Sequence, residues 1–226
     1  MKITKHSQSC FLIETQGKKI LIDPGVFSFD EKMEGLKSED FKDVDIILIT
    51  HKHSDHCDIK ALKVIQENSP DVKTYCNSEV KEILDNESIR CELVRVGETI
   101  TEENIEIDVV KAVHGYLAMM VDKAYPKENN GYLIKAEGKT VYHTSDTVGF
   151  WTEIRPDVLL IPVCGHAVVF EPLDAVEWAT MLEAKLVIPM HHESPKHALG
   201  TDKFEQEIKK TDLKYKILAN GETIEV

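Results

Sequence analysis

Ile46-Ile47-Leu48-Ile49-Thr50-His51-Lys52-His53-Ser54-Asp55-His56 joins a short apolar run to three imidazoles and a carboxylate. The run 46–49 is apolar at every position and rich in β-branched residues, which predicts a strand buried on both faces. His51 and His53 are one residue apart, so in an extended loop both rings turn to the same side and can share one metal ion. Asp55 and His56 project differently, toward a helix expected from residue 59, and can serve a second ion. Imidazole nitrogen and carboxylate oxygen are ligands that zinc accepts at about 2.0–2.2 Å. A buried strand that runs straight into such a loop places a metal site at a sheet edge.

A catalytic zinc takes about three protein ligands and keeps a position open for water, so this loop needs partners from elsewhere. His114 follows a strand expected over 105–113, Asp146 lies just beyond one expected over 140–143, and His191 follows the apolar run 186–190. All three sit at or past the carboxyl end of a buried strand, where side chains from separate strands converge on one edge. A lone His or Asp at such a position is ordinarily a cap or a surface group. Here the cluster at 51–56 leaves ligand positions for all three to fill.

Further strands are expected over 11–14 and 19–22, turned at Gly17, and over 73–76, 92–96, 131–136, 158–163, 186–189 and 215–218. Helical periodicity marks 59–67, 78–85 with Ser78 as N-cap, 173–183 after Pro172, and 202–210. So many strands with about four interspersed helices predict two packed sheets with helices outside. The irregular stretch 115–130 is either a lid over the site or a solvated loop. No linker interrupts the pattern, so one domain over 1–226 is expected.

The 226 residues are 42% hydrophobic and 30% charged, the usage of a chain that folds without a partner. Lys plus Arg number 27 against 40 Asp plus Glu, a formal charge of −13 that disfavours nucleic acid and anionic lipid as partners. Two divalent cations would reverse the field locally, so a small, even anionic, substrate remains compatible. Residues 1–10 lack an apolar signal segment and no run approaches the ~18 residues of a membrane span, so a cytoplasmic location is expected. Cys10, Cys57, Cys76, Cys91 and Cys164 are odd in number and never spaced CxxC, which predicts reduced thiols. Cys57, next to His56, is the one positioned to touch the site. Nothing in the sequence specifies an oligomeric state.

The order Thr-His-Lys-His-Ser-Asp-His at 50–56, then His114, then Tyr142-His143-Thr144-Ser145-Asp146-Thr147, then Ile188-Pro189-Met190-His191, resembles the metallo-β-lactamase superfamily over nearly the whole chain. Within it, residues 6–14, Ile20-Leu21-Ile22-Asp23-Pro24 and the Tyr-His-x-x-Asp-Thr stretch look like the predicted metal-dependent hydrolases related to L-ascorbate-6-phosphate lactonase. The resemblance implies an α/β fold, a four-layer αββα sandwich of two mixed β-sheets with helices on the outer faces. It implies that His51, His53 and His114 hold one metal, that Asp55, His56 and His191 hold the other, and that Asp146 bridges them. Two departures bear on substrate: Ser145 stands where a Gly is usual, and Cys164-Gly165-His166-Ala167-Val168-Val169 replaces a Gly-rich segment containing Thr-Met.

Two such ions, about 3.5–4 Å apart, hold a bridging hydroxide at neutral pH and polarise the bond it attacks. The expected activity is therefore hydrolysis of a small ester, lactone, amide or phosphodiester, with Asp55 also orienting the hydroxide. Zinc is the default metal, with manganese or iron as alternatives. Asp23 is the candidate to hold a ligand imidazole from behind, beside its reading as a turn-forming Asp-Pro. His166 is the candidate to bind substrate or protonate a leaving group, and Lys196 to meet an anionic group. His6, His143, His192 and His197 are expected to be structural or solvated. Two rivals remain: a di-iron redox protein of the same fold, which the resemblance says would carry Glu at position 53, and a non-catalytic metal-binding protein.

Overall fold

Within single strands, alternate residues enter different cores, and that alternation builds the layers. In β3 (Lys18–Ile22), Ile20 and Ile22 join one cluster and Leu21 another. In β4 (Ile46–Leu48) the same split separates Ile46 and Leu48 from Ile47. In β11 (Val158–Pro162) it separates Val158 and Leu160 from Leu159 and Ile161. A strand with both faces apolar must be covered on both. The computed structural model describes residues 1–30, 37–117, 125–149, 152–193 and 201–226; Lys196, His197 and part of the expected lid lie outside them.

The first sheet runs β13-β1-β2-β3-β4-β5-β6, with β1 (Lys2–Lys5), β2 (Phe11–Thr15), β5 (Lys73–Cys76), β6 (Glu92–Leu93) and β13 (Thr223–Glu225). The second runs β12-β11-β10-β9-β8-β7, with β7 (Thr99–Glu102), β8 (Ile105–Lys111), β9 (Asn130–Ala136), β10 (Lys139–His143) and β12 (Leu186–Met190). Both sheets mix parallel and antiparallel pairs. One core lies between the sheets, joining Phe11, Ile13, Ile20 and Ile22 to Ile107, Ile134, Val141 and Leu160. A second packs the outer face of the first sheet against α1 (Ile59–Asn68) and α2 (Ser78–Asn86). A third packs the second sheet against α3 (Pro172–Met181) and α4 (Asp202–Ile208). Three cores between four layers make the αββα sandwich.

Local differences from expectation have local causes. Residues 215–218 form only an isolated bridge, Tyr215 to Val187, because the chain there touches the sheet at one point. The strand expected over 92–96 stops at Leu93, and Val96 is exposed. The N-cap of α2 is Asn77, not Ser78: Asn77 Oδ1 accepts from Val80 N at 3.0 Å. Among the described residues no helix is long and apolar enough to cross a membrane.

The topology gathers strand ends. β3, β4 and β5 are mutually parallel, as are β10, β11 and β12, and antiparallel β9 between β8 and β10 makes those two parallel as well. The segments leaving β3, β4, β8, β10, β11 and β12 begin at residues 23, 49, 112, 144, 163 and 191, and from both sheets they meet at one edge of the sandwich.

Candidate metal centre

The histidine loop is pinned from several directions. Thr50 O accepts from Asn130 N at 3.0 Å and from Asn77 Nδ2 at 2.9 Å, while Ile49 O accepts from the Tyr132 hydroxyl at 2.9 Å. Residues of the second sheet thus hold a loop of the first. Close backbone approach fixes the far side: a Cβ on Gly25 would lie 1.8 Å from Asp55 O, a position only glycine can fill.

Asp23 organises what lies inside. It is fully buried with φ +49°, and its carboxylate accepts from Thr50 N at 2.8 Å, from the Thr50 hydroxyl at 2.7 Å and from His56 Nδ1 at 2.6 Å. A carboxylate only accepts, so the single Thr50 hydroxyl proton points at Asp23. Thr50 Oγ1 is then left to accept from His51 Nδ1, 3.0 Å away. His114 Nδ1 donates to Gly115 O at 2.7 Å, and His191 Nδ1 lies 3.1 Å from Cys164 Sγ. Four imidazoles are therefore held from behind through Nδ1, which leaves Nε2 to face inward, the arrangement metal-ligating histidines adopt.

The inward atoms converge. His51 Nε2 lies 3.0 Å from His53 Nδ1, His56 Nε2 3.3 Å from Asp146 Oδ1, and His191 Nε2 3.3 Å from Asp55 Oδ2 and 3.2 Å from Asp146 Oδ2. His114 Nε2 is 3.8 Å from Asp146 Oδ2. Two ligands on one tetrahedral zinc at about 2.0–2.2 Å stand about 3.3–3.6 Å apart, so most of these separations are close to those of a coordination shell. Three overlapping sets have ligand atoms within 4.8 Å of one another: His51, His53 and His114; His51, His56 and Asp146; Asp55, His56 and His191. Asp146 lies between the other two sets.

The donor set also fits a cation by what it lacks. His56 Nε2, His191 Nε2 and Asp146 Oδ1 are buried and make no well-aligned hydrogen bond, close as the imidazoles stand to the carboxylate. Each such atom costs about 1–3 kcal/mol unless something satisfies it, and a divalent ion satisfies all three. The charges agree. Burial alone would lower His56, but Asp146 and Asp23 on its two ring nitrogens push it up to about 10. Burial likewise opposes the carboxylates Asp55 and Asp146, yet the neighbouring His191 and His56 hold both well below the usual carboxylate range. His191 is raised well above the ordinary imidazole value against its burial, chiefly by Asp146. Burial holds His51 and His114 down. Buried carboxylates thus demand positive charge at this spot, and protons on His56 and His191 supply it where a metal would.

All seven residues singled out as ligands come together, and Asp23 stands behind His56. Cys57 is in none of the three donor sets: it belongs to the core between the first sheet and its helices, and burial pushes its thiol up to about 12. The thiol at the site is Cys164, whose position past β11 matches that of the ligands past their own strands. His166 lies exposed on the loop 164–170, outside the three donor sets. Ser145 has φ +62°, the left-handed conformation that favours glycine, and is held there by its hydroxyl, 2.5 Å from Asn129 Oδ1. Asn129 Nδ2 in turn donates to Asp146 O at 2.5 Å, a support for Asp146 that sequence reasoning missed.

The chain also has relatives in sequence and in fold. Residues 2–191 match a family described as the beta-lactamase superfamily domain. A UPF0173 metal-dependent hydrolase of Anoxybacillus flavithermus is 33% identical over 202 residues, covering 85% of this chain and 86% of the relative. Another, from Methanoculleus marisnigri, is 30% identical and covers 100% of this chain and 97% of its own. Among solved structures, the metallo hydrolase Igni18 of Ignicoccus hospitalis superposes with TM-score 0.79 at 24% identity, over 99% of this chain and 97% of that one.

Proposed function

The chain belongs to the metallo-β-lactamase superfamily and is a metal-dependent hydrolase, and from that premise we propose that it works with two divalent cations, zinc by default, on a small ester, lactone, amide or phosphodiester. One observation carries the reading: four imidazoles, each held through Nδ1, turn Nε2 toward one another and toward a buried carboxylate with an unpartnered oxygen. In this reading His51, His53 and His114 hold the first cation and Asp55, His56 and His191 the second. Asp146 serves both, with Oδ1 toward His56 and Oδ2 toward His114 and His191.

Bound there, the cations would lower the pKa of a shared water toward neutrality and polarise the bond under attack. The protein's own groups do the rest. Asp55 is less buried than Asp146, and in this reading its carboxylate also accepts a hydrogen bond from the attacking water and aims it. Asp23 and Thr50 keep His56 and His51 in the tautomer that presents a lone pair. His166, on the loop that Gly115 N joins at Val168 O, is in this reading the candidate to hand a proton to the leaving group. The free cysteines support a reducing, cytoplasmic setting, and the charge of −13 supports a small-molecule substrate over nucleic acid or membrane.

The test is metal analysis of the purified protein, then assay of lactone, ester and phosphodiester substrates with and without chelator. Two ions per chain, with hydrolysis that chelator abolishes and zinc or manganese restores, are expected. Hydrolysis that survives complete metal removal would overturn the reading.

A further inference from the structure

Three loops form one wall of the metal centre, and backbone hydrogen bonds fasten them together. Val148 N donates to Val113 O, Gly115 N to Val168 O, and Phe170 N to Thr147 O, each at 2.9 Å. The fit is close enough that a Cβ on Gly115 would lie 1.9 Å from Ala167 O and 2.7 Å from Val148 Cγ1. This wall carries His114 and Asp146, so its outward face adjoins the site directly.

Aromatic rings line that face. From His53 a row of edge-to-face rings runs outward: His53 to His114 at 4.8 Å between centroids, His114 to Tyr125 at 6.1 Å, and Tyr125 to Tyr116 at 5.4 Å. The Tyr125 hydroxyl donates to His114 O at 3.2 Å, which ties the row to a ligand's backbone. At its outer end Tyr116 is 56% exposed, and Val148, across Gly115, is 41% exposed. Exposed apolar side chains scattered singly need no explanation, but neighbours at the rim of a polar centre mark a binding surface. No lysine or arginine occurs at 112–117, 144–149 or 163–170. Apart from His166, these three segments carry no cationic side chain for a phosphate or carboxylate, and Tyr116, Tyr125 and Val148 suit a ring or an alkyl chain.

We propose that the substrate carries an uncharged apolar or aromatic arm, and that this arm lies on the wall formed by Tyr116, Tyr125 and Val148 while its hydrolysable end lies at the metal centre. The assignment rests on the hydrolase reading above and narrows its substrate class away from phosphorylated sugars. Tyr116 and Val148 are specificity residues in this account: they hold the arm and take no part in proton transfer.

The test compares two product-like carboxylates, propanoate and 3-phenylpropanoate, by calorimetric titration into the metal-loaded protein. Covering a phenyl ring on an aromatic wall is worth about tenfold in affinity or more, so 3-phenylpropanoate should bind at least about tenfold tighter than propanoate. Tyr116→Ala should bring that ratio below about threefold and Val148→Ser should lower it in part. Leu173→Ala, which removes an exposed apolar residue on α3, should leave it unchanged. A ratio near one in the unaltered protein overturns the inference, as does a tenfold ratio that both wall variants leave intact; failure of 3-phenylpropanoate to bind measurably counts as a ratio of one, and failure of propanoate alone counts as a ratio above about ten. The hydrolase reading is judged apart from this, by chelator-sensitive release of 4-nitrophenol from its acetate ester, an ester with a minimal acyl arm.

Discussion

Replacing Asp23 with Asn changes one atom and, on this structure, should disable the second metal position more than deleting the side chain does. The carboxylate accepts three hydrogen bonds, from Thr50 N, the Thr50 hydroxyl and His56 Nδ1. An Asn keeps the shape and tolerates φ +49°, but its NH2 must face a donor in either orientation. If it faces His56, Nδ1 must become an acceptor and the imidazole proton moves to Nε2, the atom aimed at Asp146. At the other carboxylate position it would meet Thr50 N–H, a backbone donor that cannot turn acceptor, so the NH2 is driven to the Oδ2 position; there it also faces the Thr50 hydroxyl, which turns toward His51 Nδ1 and drives His51 to the wrong tautomer too. Loss of such a supporting partner ordinarily costs 10–100-fold in metal affinity. Asp23→Asn should reach the upper end, about 100-fold, or about 2.7 kcal/mol. Asp23→Ala lets His56 choose its tautomer and should lose only about tenfold. Stability of the metal-free protein should rank the other way: Ala leaves three buried donors unpaired, at about 1–3 kcal/mol for each, while Asn satisfies some of them. Competition against a chromophoric zinc chelator gives the affinities, and urea unfolding of metal-free protein gives the stabilities. Metal affinity in Asp23→Asn equal to that of the unaltered protein, or better than in Asp23→Ala, would refute the tautomer argument.

Loading metal at pH 7 should release about two protons per chain, because His56, raised to about 10, and His191, raised well above the ordinary value, give up theirs to the cations; calorimetry in buffers of different ionisation heat reads the number, and heats independent of buffer would contradict it. Burial lowers His6 to about 4 from an ordinary 6.5, so between those values the unfolded chain binds the extra proton and acid favours unfolding. The stabilisation is complete above pH 6.5 and is lost as pH falls toward 4, a change on the order of 3 kcal/mol, and urea midpoints of metal-free His6→Gln at pH 7 and pH 4.5 should differ less than those of the parent. Ser145→Gly should leave stability within about 1 kcal/mol, since relief of the left-handed backbone offsets the lost bond to Asn129; a loss above about 2 kcal/mol in urea unfolding would show that the hydroxyl matters more than the strain.

The metal cluster was legible because its chemistry is written in adjacent residues and its remaining members follow apolar runs, a pattern that survives without knowledge of the fold. Asp23 was legible from its place after β3 and before Pro24, and the two readings of it meet in one feature: with a left-handed φ its carboxylate lies against Thr50 and His56. What could not be read depended on contacts distant in sequence. β1 reads as polar, yet Lys5 is fully buried because Glu193, 2.6 Å away, neutralises it from the far end of the chain. β7 and β13 are short strands at sheet edges whose polar alternation resembles loop. Cys57 was favoured over Cys164 because sequence adjacency to His56 is visible and spatial adjacency to His191 is not. The pairing of Tyr116 with Tyr125 beside His114 eluded the sequence for the same reason, since these residues belong to no common motif.

The central claim is that seven side chains from both sheets surround two cations. Crystals of protein loaded with zinc, measured on both sides of the zinc absorption edge, test it most directly. The account predicts two anomalous peaks per chain, one among His51, His53 and His114 and one among Asp55, His56 and His191, with Asp146 touching both. A single peak, or peaks whose ligands lie outside these seven residues, would contradict it.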